Sequence, residues 1–398
     1  MNCRFCQNEL KTEFLDLGTQ PCSNNYVDYL QQEVFYPLIT YVCQNCGLVQ
    51  TLDFNSSEEL FTEDYAYFSS YSKSWLEHAK KYVDMITKKL NLNESSQVIE
   101  LASNDGYLLQ YFSEKNIPSI GIEPCESVAK VAMRKGIDTR IHFFGKDCAE
   151  ALPKADLILG NNVLAHVPDI NDFVSGVKIA LKHSGTVTFE FPHLLNLIDK
   201  NQFDTIYHEH YSYLSLSFVQ KLFDSHGLDV YDVEELKTHG GSLRVYGCHK
   251  GFMNISDNVS IILNKEKKIL SDMSIYTNFS ARVKQIKRDF LELLIDIKNK
   301  QKSVVPYGAA AKGNTLFNYC GIKNDFIDYV ADLNPHKQGK YLPGVHIEIK
   351  APEEILKTKP DYVIITPWNL REEIMKQLEY VKEWDCKFIV VIPEVKVL

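Results

Sequence analysis

The chain has 398 residues, with 43 Lys and Arg against 52 Asp and Glu, for a formal net charge of −9. A chain of this length has more residues than usually fold around one hydrophobic core, so two or three domains are expected. The acidic balance argues against a nucleic-acid binder, and the lack of a long apolar run argues against a membrane span.

The N-terminus and the cysteines together predict a cytoplasmic protein. The chain opens with Met1, Asn2 and Cys3 and shows no apolar signal-peptide segment. Its ten cysteines do not make a disulfide scaffold in a chain of this length. They are therefore expected to remain reduced thiols.

The first region, residues 1–72, predicts a structural zinc site. It carries two C-x-x-C pairs, whose members are Cys3, Cys6, Cys43 and Cys46. Four thiolates on two tight turns satisfy a tetrahedral zinc ion and close its coordination sphere. The stretch 7–42 between the pairs is longer than the common spacing, so a small β-rich insertion is expected inside the zinc loop. The alternative, four unrelated buried thiols, fits two such pairs in one short segment poorly.

The second region, residues 73–275, alternates strand and helix patterns. Strands are predicted over residues 97–103, 119–124, 155–167 and 186–192, with helices over 107–115 and 126–136. Short loops between alternating elements are typical of a doubly wound parallel sheet. Ligands bind such sheets at the carboxyl ends of the strands.

The third region, residues 276–398, predicts a second doubly wound unit. It begins with an amphipathic helix over roughly residues 278–301, followed by a strand, a small-residue turn and a helix within 303–321. Further strand patterns lie within residues 326–335, 361–368 and 387–393. The overall fold class is therefore α/β with a small β-rich N-terminal domain.

The turn after the first strand of the second region favours S-adenosylmethionine (SAM) over a dinucleotide. A pyrophosphate needs G-x-G-x-x-G, and the turn ELASNDGYL has one glycine, Gly106. SAM instead needs an acid on the first strand, here Glu100, and one ending the second strand, here Glu123. The alternative for Glu100 is a buried cap on the following helix. The predicted cofactor contacts are Glu100, Ala102, Asn104, Gly106, Glu123, Asn161 and Asn162.

An ordered set of motifs resembles a known family. ELASNDGYLL, GIEP, NNVLAHVPDI, FDTIYHEH and HGGSLR are followed by YGAAAKGNTLFNYCG and DLNPHKQGKYLPG. With the cysteine pairs, this set resembles the deoxysugar C-methyltransferases that act on nucleotide-linked ketosugars, and the resemblance covers essentially the whole chain. It implies a zinc-binding domain (1–72), a class I, Rossmann-like SAM methyltransferase domain (73–275) and a Rossmann-like nucleotide-sugar-binding domain (276–398).

The stretch FDTIYHEHYSYL could be a metal site, a base with its helpers, or a buried polar network. Zinc-binding helices place histidines at i and i+4, whereas His208 and His210 are two apart, which disfavours metal. A carbon nucleophile forms beside a carbonyl once a base removes the proton, and histidine suits that task. The resulting enolate needs hydrogen-bond donors or positive charge at its oxygen. A core network of Tyr, His and Glu is the strongest alternative.

The resemblance implies the roles within and around this stretch. His210 matches the base that removes the proton, and His208 is given no role beyond a surface side chain or a structural hydrogen bond. The remaining implied catalytic residues are Tyr207, Glu209, His166 and Tyr67.

Two further motifs carry the predicted substrate contacts. In HGGSLR, His239 and Arg244 either face the substrate or satisfy backbone carbonyls. Lys312 lies at a helix N-terminus, where anions bind, although a tight turn with solvated lysines is the alternative. The predicted substrate-binding residues are His239, Arg244, Lys312, Asn314, Lys337 and Gln338.

The sequence thus predicts a SAM-dependent C-methyltransferase for a nucleotide-linked 4-keto deoxysugar. Methylation at C-3 of a thymidine diphosphate sugar is what the resemblance implies. O- or N-methylation is the nearest rival, although heteroatom acceptors need little base assistance. An RNA-modifying zinc protein conflicts with the charge, and an NAD oxidoreductase lacks its glycines. No nucleic acid, membrane or second chain is expected, so we predict a monomer.

Overall fold

The computed structural model describes residues 1–29, 31–54 and 68–398. Its strands are β1 Thr12–Gln20, β2 Tyr36–Val42, β3 Val49–Thr51, β4 Val98–Leu101, β5 Ser119–Ile122, β6 Thr139–Arg140, β7 Ala155–Asn161, β8 Leu181–Pro192, β9 Ser212–Tyr213, β10 Leu228–Leu236, β11 Ser242–His249, β12 Val304–Tyr307, β13 Val330–Ala331, β14 Ile349–Lys350, β15 Tyr362–Ile365, β16 Lys387–Val390 and β17 Lys396–Val397. Its α-helices are α1 Lys73–Leu90, α2 Leu109–Ser113, α3 Glu126–Arg134, α4 Lys146–Glu150, α5 Ile170–Ala180, α6 Leu194–Asp199, α7 Leu216–Ser225, α8 Asp257–Leu270, α9 Met273–Asn299, α10 Ala311–Cys320, α11 Glu354–Thr358 and α12 Arg371–Gln377.

The first sheet is antiparallel and has the strand order β1-β2-β3-β9. Its first two strands lie between the cysteine pairs, which confirms the β-rich insertion in the zinc loop. The fourth strand, β9, comes from far along the chain and pairs Tyr213 with Val49. The segment just before β9 is YHEH, so this pairing carries that motif to the N-terminal sheet.

The second sheet has seven strands in the order β10-β11-β8-β7-β4-β5-β6. Strands β8 to β6 run parallel, which fits the predicted doubly wound core. One edge of the sheet departs from the parallel order, because β11 is antiparallel to both β8 and β10. The reason is local: β10 and β11 are joined by the short turn 237–241, which is too short for a parallel crossover.

The third sheet has six strands in the order β14-β13-β12-β15-β16-β17, all parallel except β17. Helix α9 leads into this sheet and begins earlier than predicted, because Asp272 accepts a hydrogen bond from the backbone N–H of Ser274 at 2.9 Å. The same helix packs on the first sheet, where Phe14 and Phe279 stack with ring centroids 4.8 Å apart. One apolar cluster therefore joins the first and third sheets.

No helix within residues 1–29, 31–54 and 68–398 has the length and apolar composition that crossing a bilayer needs.

Candidate active site

The four predicted zinc ligands lie together. The Sγ atoms of Cys3 and Cys46 are 3.6 Å apart, as are those of Cys6 and Cys43. All four sulfur atoms lie within 4.8 Å of one another. Zinc bonded to four thiolates at about 2.3 Å separates the sulfur atoms by about 3.8 Å, so this arrangement fits the ion.

Backbone turns hold these cysteines in place. The N–H of Gln7 donates to the carbonyl of Cys3 at 2.9 Å, and Gly47 donates to Cys43 in the same way at 2.8 Å. Gln50, on β3, points its amide at the Cys3 sulfur from 3.2 Å. A hydrogen bond to a ligating sulfur supports a metal centre from outside its coordination sphere. The site therefore has both the ligands and the outer contacts that a structural zinc needs.

His210 has its tautomer set by a backbone contact. Its Nδ1 lies 2.7 Å from the carbonyl oxygen of Thr205, which can only accept, so Nδ1 carries the proton. The other ring nitrogen, Nε2, lies 2.9 Å from the hydroxyl of Tyr207, which donates to it. Nε2 is thus the basic atom of this histidine, and Tyr207 marks the side from which a proton would arrive.

His166 packs edge-on against His210, with ring centroids 4.6 Å apart. Burial, and next the neighbouring His166, lowers the pKa of His210 well below its usual range. Burial also lowers the pKa of His166 to about 4, opposed by a hydrogen bond to the backbone of Glu209. Both rings are therefore neutral near pH 7, which is the form in which a histidine can accept a proton.

Glu209 is buried and is anchored from the N-terminal region. Its Oε1 accepts two hydrogen bonds from Asn24, one from the backbone N–H and one from the side-chain amide, both at 3.2 Å. Burial raises the pKa of Glu209, and the contacts with Asn24 oppose that rise. Its other oxygen, Oε2, has no hydrogen-bond partner among the described residues.

Two predictions about this neighbourhood need comment. His208 is 4% exposed, so the first alternative predicted for it, a surface side chain, is wrong, and the second, a structural hydrogen bond, stays a prediction. It packs against β2, with its ring centroid 6.0 Å from that of Tyr36, because the pairing of β9 pulls this segment onto the first sheet. Tyr67 lies outside the described residues.

Three acidic side chains gather at the carboxyl edge of β4 and β5. Glu100 is fully buried, and burial, together with the nearby Glu123 and Asp105, raises its pKa well above the usual range. Burial also raises the pKa of Glu123 to about 7. A ligand carrying sulfonium and ammonium charges would stabilise such a buried acidic group, and SAM carries both. The residues therefore fit the cofactor.

Glu123 is oriented by backbone contacts. Its two oxygens accept from the N–H groups of Asn104 and Cys125, both at 2.9 Å. Asn104 in turn accepts from the N–H of Ser69 at 2.8 Å. A carboxylate held in this way is a fixed acceptor, which suits the hydroxyl groups of a ribose.

The turn between β4 and α2 is left-handed at three positions. The φ angles are +56° at Ala102, +50° at Asn104 and +76° at Gly106. A Cβ at Gly106 would lie 2.3 Å from a side-chain carbon of Ile137. This glycine is therefore required by packing inside the protein, and its predicted contact with the cofactor remains a prediction.

Asn161 ends β7, and Asn162 follows it at the same edge of the sheet. The amide of Asn161 lies 3.4 Å from the hydroxyl of Tyr107, which adjoins Glu100. The amide of Asn162 lies 3.0 Å from Nε2 of His239. Burial, and after it the positive charge of Lys312, lowers the pKa of His239 to about 4. The HGG turn thus lies close to residues of both the second and the third domain. We use the word cleft for the neighbourhood of His210, His239 and Lys312, where these domains meet.

Arg244 lies in a buried ionic network. Its two terminal nitrogens contact Glu190 at 2.6 Å and Glu234 at 2.9 Å. His78, on α1, also contacts the same oxygen of Glu190 at 2.8 Å. The guanidinium lies over the ring of Tyr82, 4.5 Å from its centroid. These contacts already engage Arg244, so its role in substrate binding remains a prediction.

Lys337 and Gln338 surround the turn after β12. The ammonium of Lys337 donates to the carbonyl of Ala309 at 2.8 Å and lies 4.9 Å from the ring centroid of Tyr26. Gln338 donates to the carbonyl of Asp332 at 2.9 Å. Tyr26, from the N-terminal region, also donates to Ala309 at 2.6 Å. The turn is thus held from two domains, and both predicted contacts lie beside it.

Lys312 extends from the start of α10 towards the second sheet. Its ammonium donates to Asn369 at 2.7 Å and lies 4.5 Å from the ring centroid of Trp368. The Trp368 indole N–H donates to Asp204 at 2.7 Å. Asn314, on the same helix, is 1% exposed, and its amide has no partner in the part of the chain that the structure describes.

Four residues of this cleft were not predicted from the sequence: Asn24, Trp75, Asp204 and Trp368. Trp75 packs against His239 with ring centroids 5.1 Å apart, and Asp204 precedes the YHEH motif by only a few residues. An acid beside that motif, and a tryptophan ending a predicted strand, were the available signals. Asn24 gave none, because its partner Glu209 lies 185 positions away.

Models of known families match three successive parts of the chain. A zinc binding domain matches residues 3–61, a methyltransferase domain matches 75–233, and a C-methyltransferase C-terminal domain matches 237–393.

A relative and two solved structures are similar to the chain. The C-methyltransferase NovU of Streptomyces niveus is 32% identical over 405 residues, spanning 100% of this chain and 96% of that protein. Magnesium protoporphyrin IX methyltransferase from Synechocystis PCC 6803 with bound SAM covers 44% of this chain and 79% of its own, with 12% identity and a TM-score of 0.35. A SAM-dependent methyltransferase from Clostridium acetobutylicum covers 44% and 92%, with 13% identity and a TM-score of 0.36.

Proposed function

This chain belongs to the C-methyltransferase family and is a SAM-dependent methyltransferase with a zinc-binding N-terminal domain; from that membership we propose that it methylates a carbon beside the ketone of a nucleotide-linked sugar. The observation that carries the proposal is the set tautomer of His210, whose Nε2 is available as a base. The substrate that we propose is a 4-keto deoxysugar, to which the enzyme adds a methyl group at C-3.

Transfer to carbon, rather than to oxygen or nitrogen, requires a base. A sugar C–H ionises only next to a carbonyl, so the acceptor must be a ketosugar, and the proton must leave before the methyl group arrives. SAM supplies an electrophilic methyl group on its sulfonium. Nε2 of His210 takes the proton, while the hydrogen bond from Nδ1 to Thr205 keeps the ring in the correct tautomer.

Three neighbours support the base. The C–H group of the substrate takes the position at Nε2 that the Tyr207 hydroxyl now holds, and the displaced hydroxyl stays beside the reacting atoms. His166, packed edge-on against the ring, limits its rotation. Glu209, held by Asn24, presents to a sugar hydroxyl the oxygen Oε2, which has no partner among the described residues. We propose these roles for the three residues, with Tyr67 as a further candidate.

The nucleotide part is assigned to the third sheet. The turn after β12, the start of α10 and the residues near β13 place polar groups at one edge, as nucleotide-binding α/β units do. We propose that the substrate reaches this edge through Asn314, Lys337 and Gln338. The buried amide of Asn314, which has no partner among the residues that the structure describes, is the feature that best fits a ligand hydrogen bond.

The test is incubation of the protein with SAM and a nucleotide-linked 4-ketosugar in deuterated water, followed by mass spectrometry. We expect a methyl gain on the sugar, together with deuterium incorporation beside the ketone in the absence of SAM. Methylation of a hydroxyl or an amine without exchange would overturn the proposal in favour of heteroatom transfer. Exchange without methylation would keep the base and reject this sugar as the acceptor.

A further inference from the structure

Asp204 and Lys312 bring opposite charges from two domains into the same cleft as His210. Asp204 lies in the short 3-10 turn Phe203–Thr205, just ahead of the YHEH motif, and Lys312 lies in the first turn of α10. Trp368 connects them, because its N–H donates to Asp204 at 2.7 Å and its ring centroid is 4.5 Å from the Lys312 ammonium.

Both charged groups keep hydrogen-bonding capacity. Asp204 is 1% exposed, and its Oδ1 has no partner within the described ranges. The ammonium of Lys312 has three donors, of which Asn369 receives one at 2.7 Å. Its side chain is only partly buried, so a ligand in the cleft can reach it. Two charged groups with a purely structural role would leave less hydrogen-bonding capacity unused in so enclosed a position.

The proposed reaction needs hydrogen-bond donors or positive charge at the enolate oxygen. Burial first, then His166, and after them the charge of Lys312 lower the pKa of His210 and so make it a weaker base. A weak base removes a proton from carbon efficiently only when the resulting oxyanion is stabilised. The same ammonium that lowers the basicity of His210 would attract that oxyanion. The lowered basicity is therefore offset when negative charge develops on the carbonyl oxygen.

We propose that Lys312 is a catalytic residue whose ammonium stabilises the enolate oxygen formed when His210 removes the proton, and that Asp204 is the positioning residue that holds this cation in the cleft. This inference rests on the proposed function above. It assigns Lys312 to the reacting carbonyl rather than to the diphosphate, and it gives Asp204 a role in the reaction.

The step is balanced in atoms and electrons. Nε2 of His210 takes the proton, and the electron pair of the C–H bond becomes the C–C π bond as the carbonyl oxygen gains negative charge beside Lys312. The carbon that lost the proton then forms its bond to the methyl group while the sulfur–methyl bond breaks, leaving neutral S-adenosylhomocysteine. The carbonyl re-forms, and the proton on His210 returns to solvent.

The charge state of Lys312 is compatible with this role. Burial lowers the pKa of Lys312 to about 8, and Asp204 opposes the fall. The titratable groups that face it are Asp204 from the 3-10 turn, His210 from the loop after it, and His239 from the HGG turn. Both histidines are neutral near pH 7. Burial raises the pKa of Asp204 to about 7, and the charge of Lys312 opposes the rise, so Asp204 becomes charged around and above neutral pH. It is then the one of these three groups that favours the ammonium.

The experiment compares Lys312→Met and Lys312→Arg with Lys323→Met, an exposed lysine of the same domain. Deuterium exchange at saturating ketosugar reports the His210 step, and calorimetry reports binding of thymidine diphosphate and of S-adenosylhomocysteine. We expect exchange to fall about 100-fold in Lys312→Met, with partial recovery in Lys312→Arg and both affinities kept within twofold. Lys323→Met should behave as wild type.

Two outcomes separate the possible failures. Unchanged exchange with an affinity for thymidine diphosphate weakened tenfold or more would make Lys312 a phosphate ligand and overturn the inference. Absence of exchange in the wild-type protein would instead reject the proposed function itself. Circular dichroism and thermal unfolding confirm that each variant is folded, and Lys312→Arg keeps the test valid if the methionine variant is not.

Asp204→Asn tests the positioning role, with Asp199→Asn as the exposed control. The amide oxygen can still accept from Trp368, but the negative charge is removed. We expect the alkaline limb of the exchange profile to move to lower pH, because Lys312 loses the charge that favours its ammonium. A uniform drop at every pH, with the limb unmoved, would make Asp204 a structural residue only.

Discussion

Asn24 donates two hydrogen bonds to one carboxylate oxygen of Glu209, from its backbone N–H and from its side-chain amide. Asn24 lies between the two cysteine pairs of the zinc site, and Glu209 lies beside the proposed base. The N-terminal region therefore supplies an inner part of the cleft as well as a metal-binding unit.

Asn24→Ala should lower kcat about tenfold, because a hydrogen bond to a buried charged group is worth about 1.5–3 kcal/mol. Asn24→Asp should be worse, since it places a second carboxylate against Glu209. The neighbouring Asn25 is exposed, so Asn25→Ala is the matched control. Steady-state kinetics, with S-adenosylhomocysteine binding measured in parallel, check this prediction. A wild-type kcat in Asn24→Ala would separate Glu209 from the reaction.

His210→Gln should abolish both deuterium exchange and methyl transfer while leaving S-adenosylhomocysteine binding intact. The amide keeps a polar group of similar reach but cannot take the proton, so a loss of at least about 100-fold is expected. His142 is exposed, and His142→Gln should retain full activity. Exchange that persists at the wild-type rate in His210→Gln would assign the base to another residue.

The purified protein should contain one zinc ion per chain, measured by elemental mass spectrometry. Cys43→Ser removes one of four ligands and should lose the ion, with a lower Tm and reduced activity, because Asn24 lies in the segment that the metal closes. Cys386→Ser, a buried thiol elsewhere, should keep its zinc. Wild-type protein that has the same Tm with and without zinc would contradict this prediction.

Predictability followed the range of the interactions. The four cysteines were recognised from the sequence because each pair is set by a local turn, and the structure brings them together. Glu100 and Glu123 were proposed because they lie on or at the end of recognisable strands, and their contacts with the cofactor stay a prediction. The contact between Asp204 and Trp368 spans 164 positions, and no local pattern reports such a distance. A cleft between domains is built from such contacts, between residues that lie far apart in the sequence.

The burial of His208 is a second consequence of a long-range contact that no local pattern predicts. Its spacing from His210 disfavours a metal site, and this stays a prediction. The sequence nevertheless gave no sign that β9 would pair with β3. A two-residue strand has too short a pattern to be recognised, although it decides which face of YHEH is covered.

Arg244→Met should destabilise the protein by about 3–5 kcal/mol at neutral pH, since it leaves Glu190 buried without its main cation. Burial would raise the pKa of Glu190, but the hydrogen bond with His78 and the charge of Arg244 hold it at about 2, below the ordinary 4.5. Its contribution is therefore present above pH 4.5 and is lost as pH falls towards 2. In the variant, burial raises the pKa of Glu190 with less to oppose it, so the difference in unfolding free energy between variant and wild type should narrow as pH falls from 7 towards 4.

Urea unfolding at pH 7, 5 and 4 checks this shift, with the exposed Arg134→Met as the control. Unchanged stability together with a selective rise in KM for the sugar would instead support the substrate contact predicted for Arg244.

Gly240→Ala tests the packing that brings the second and third sheets together. A Cβ at this position would lie 2.4 Å from the Trp368 ring, and the residue has a φ of +85°. Gly251 has a similar φ of +76°, and a Cβ added there would have nothing within 4 Å, so Gly251→Ala measures the backbone strain alone. That strain costs about 1–2 kcal/mol.

Gly240→Ala should cost about 1–3 kcal/mol more than Gly251→Ala, because Trp368 must move as well. Since Trp368 contacts both Asp204 and Lys312, deuterium exchange should also fall in Gly240→Ala and stay unchanged in Gly251→Ala. Equal free energies of unfolding in the two variants would mean that Trp368 moves aside without cost. The ring would then be a poor support for the cation that we place beside the reacting carbonyl.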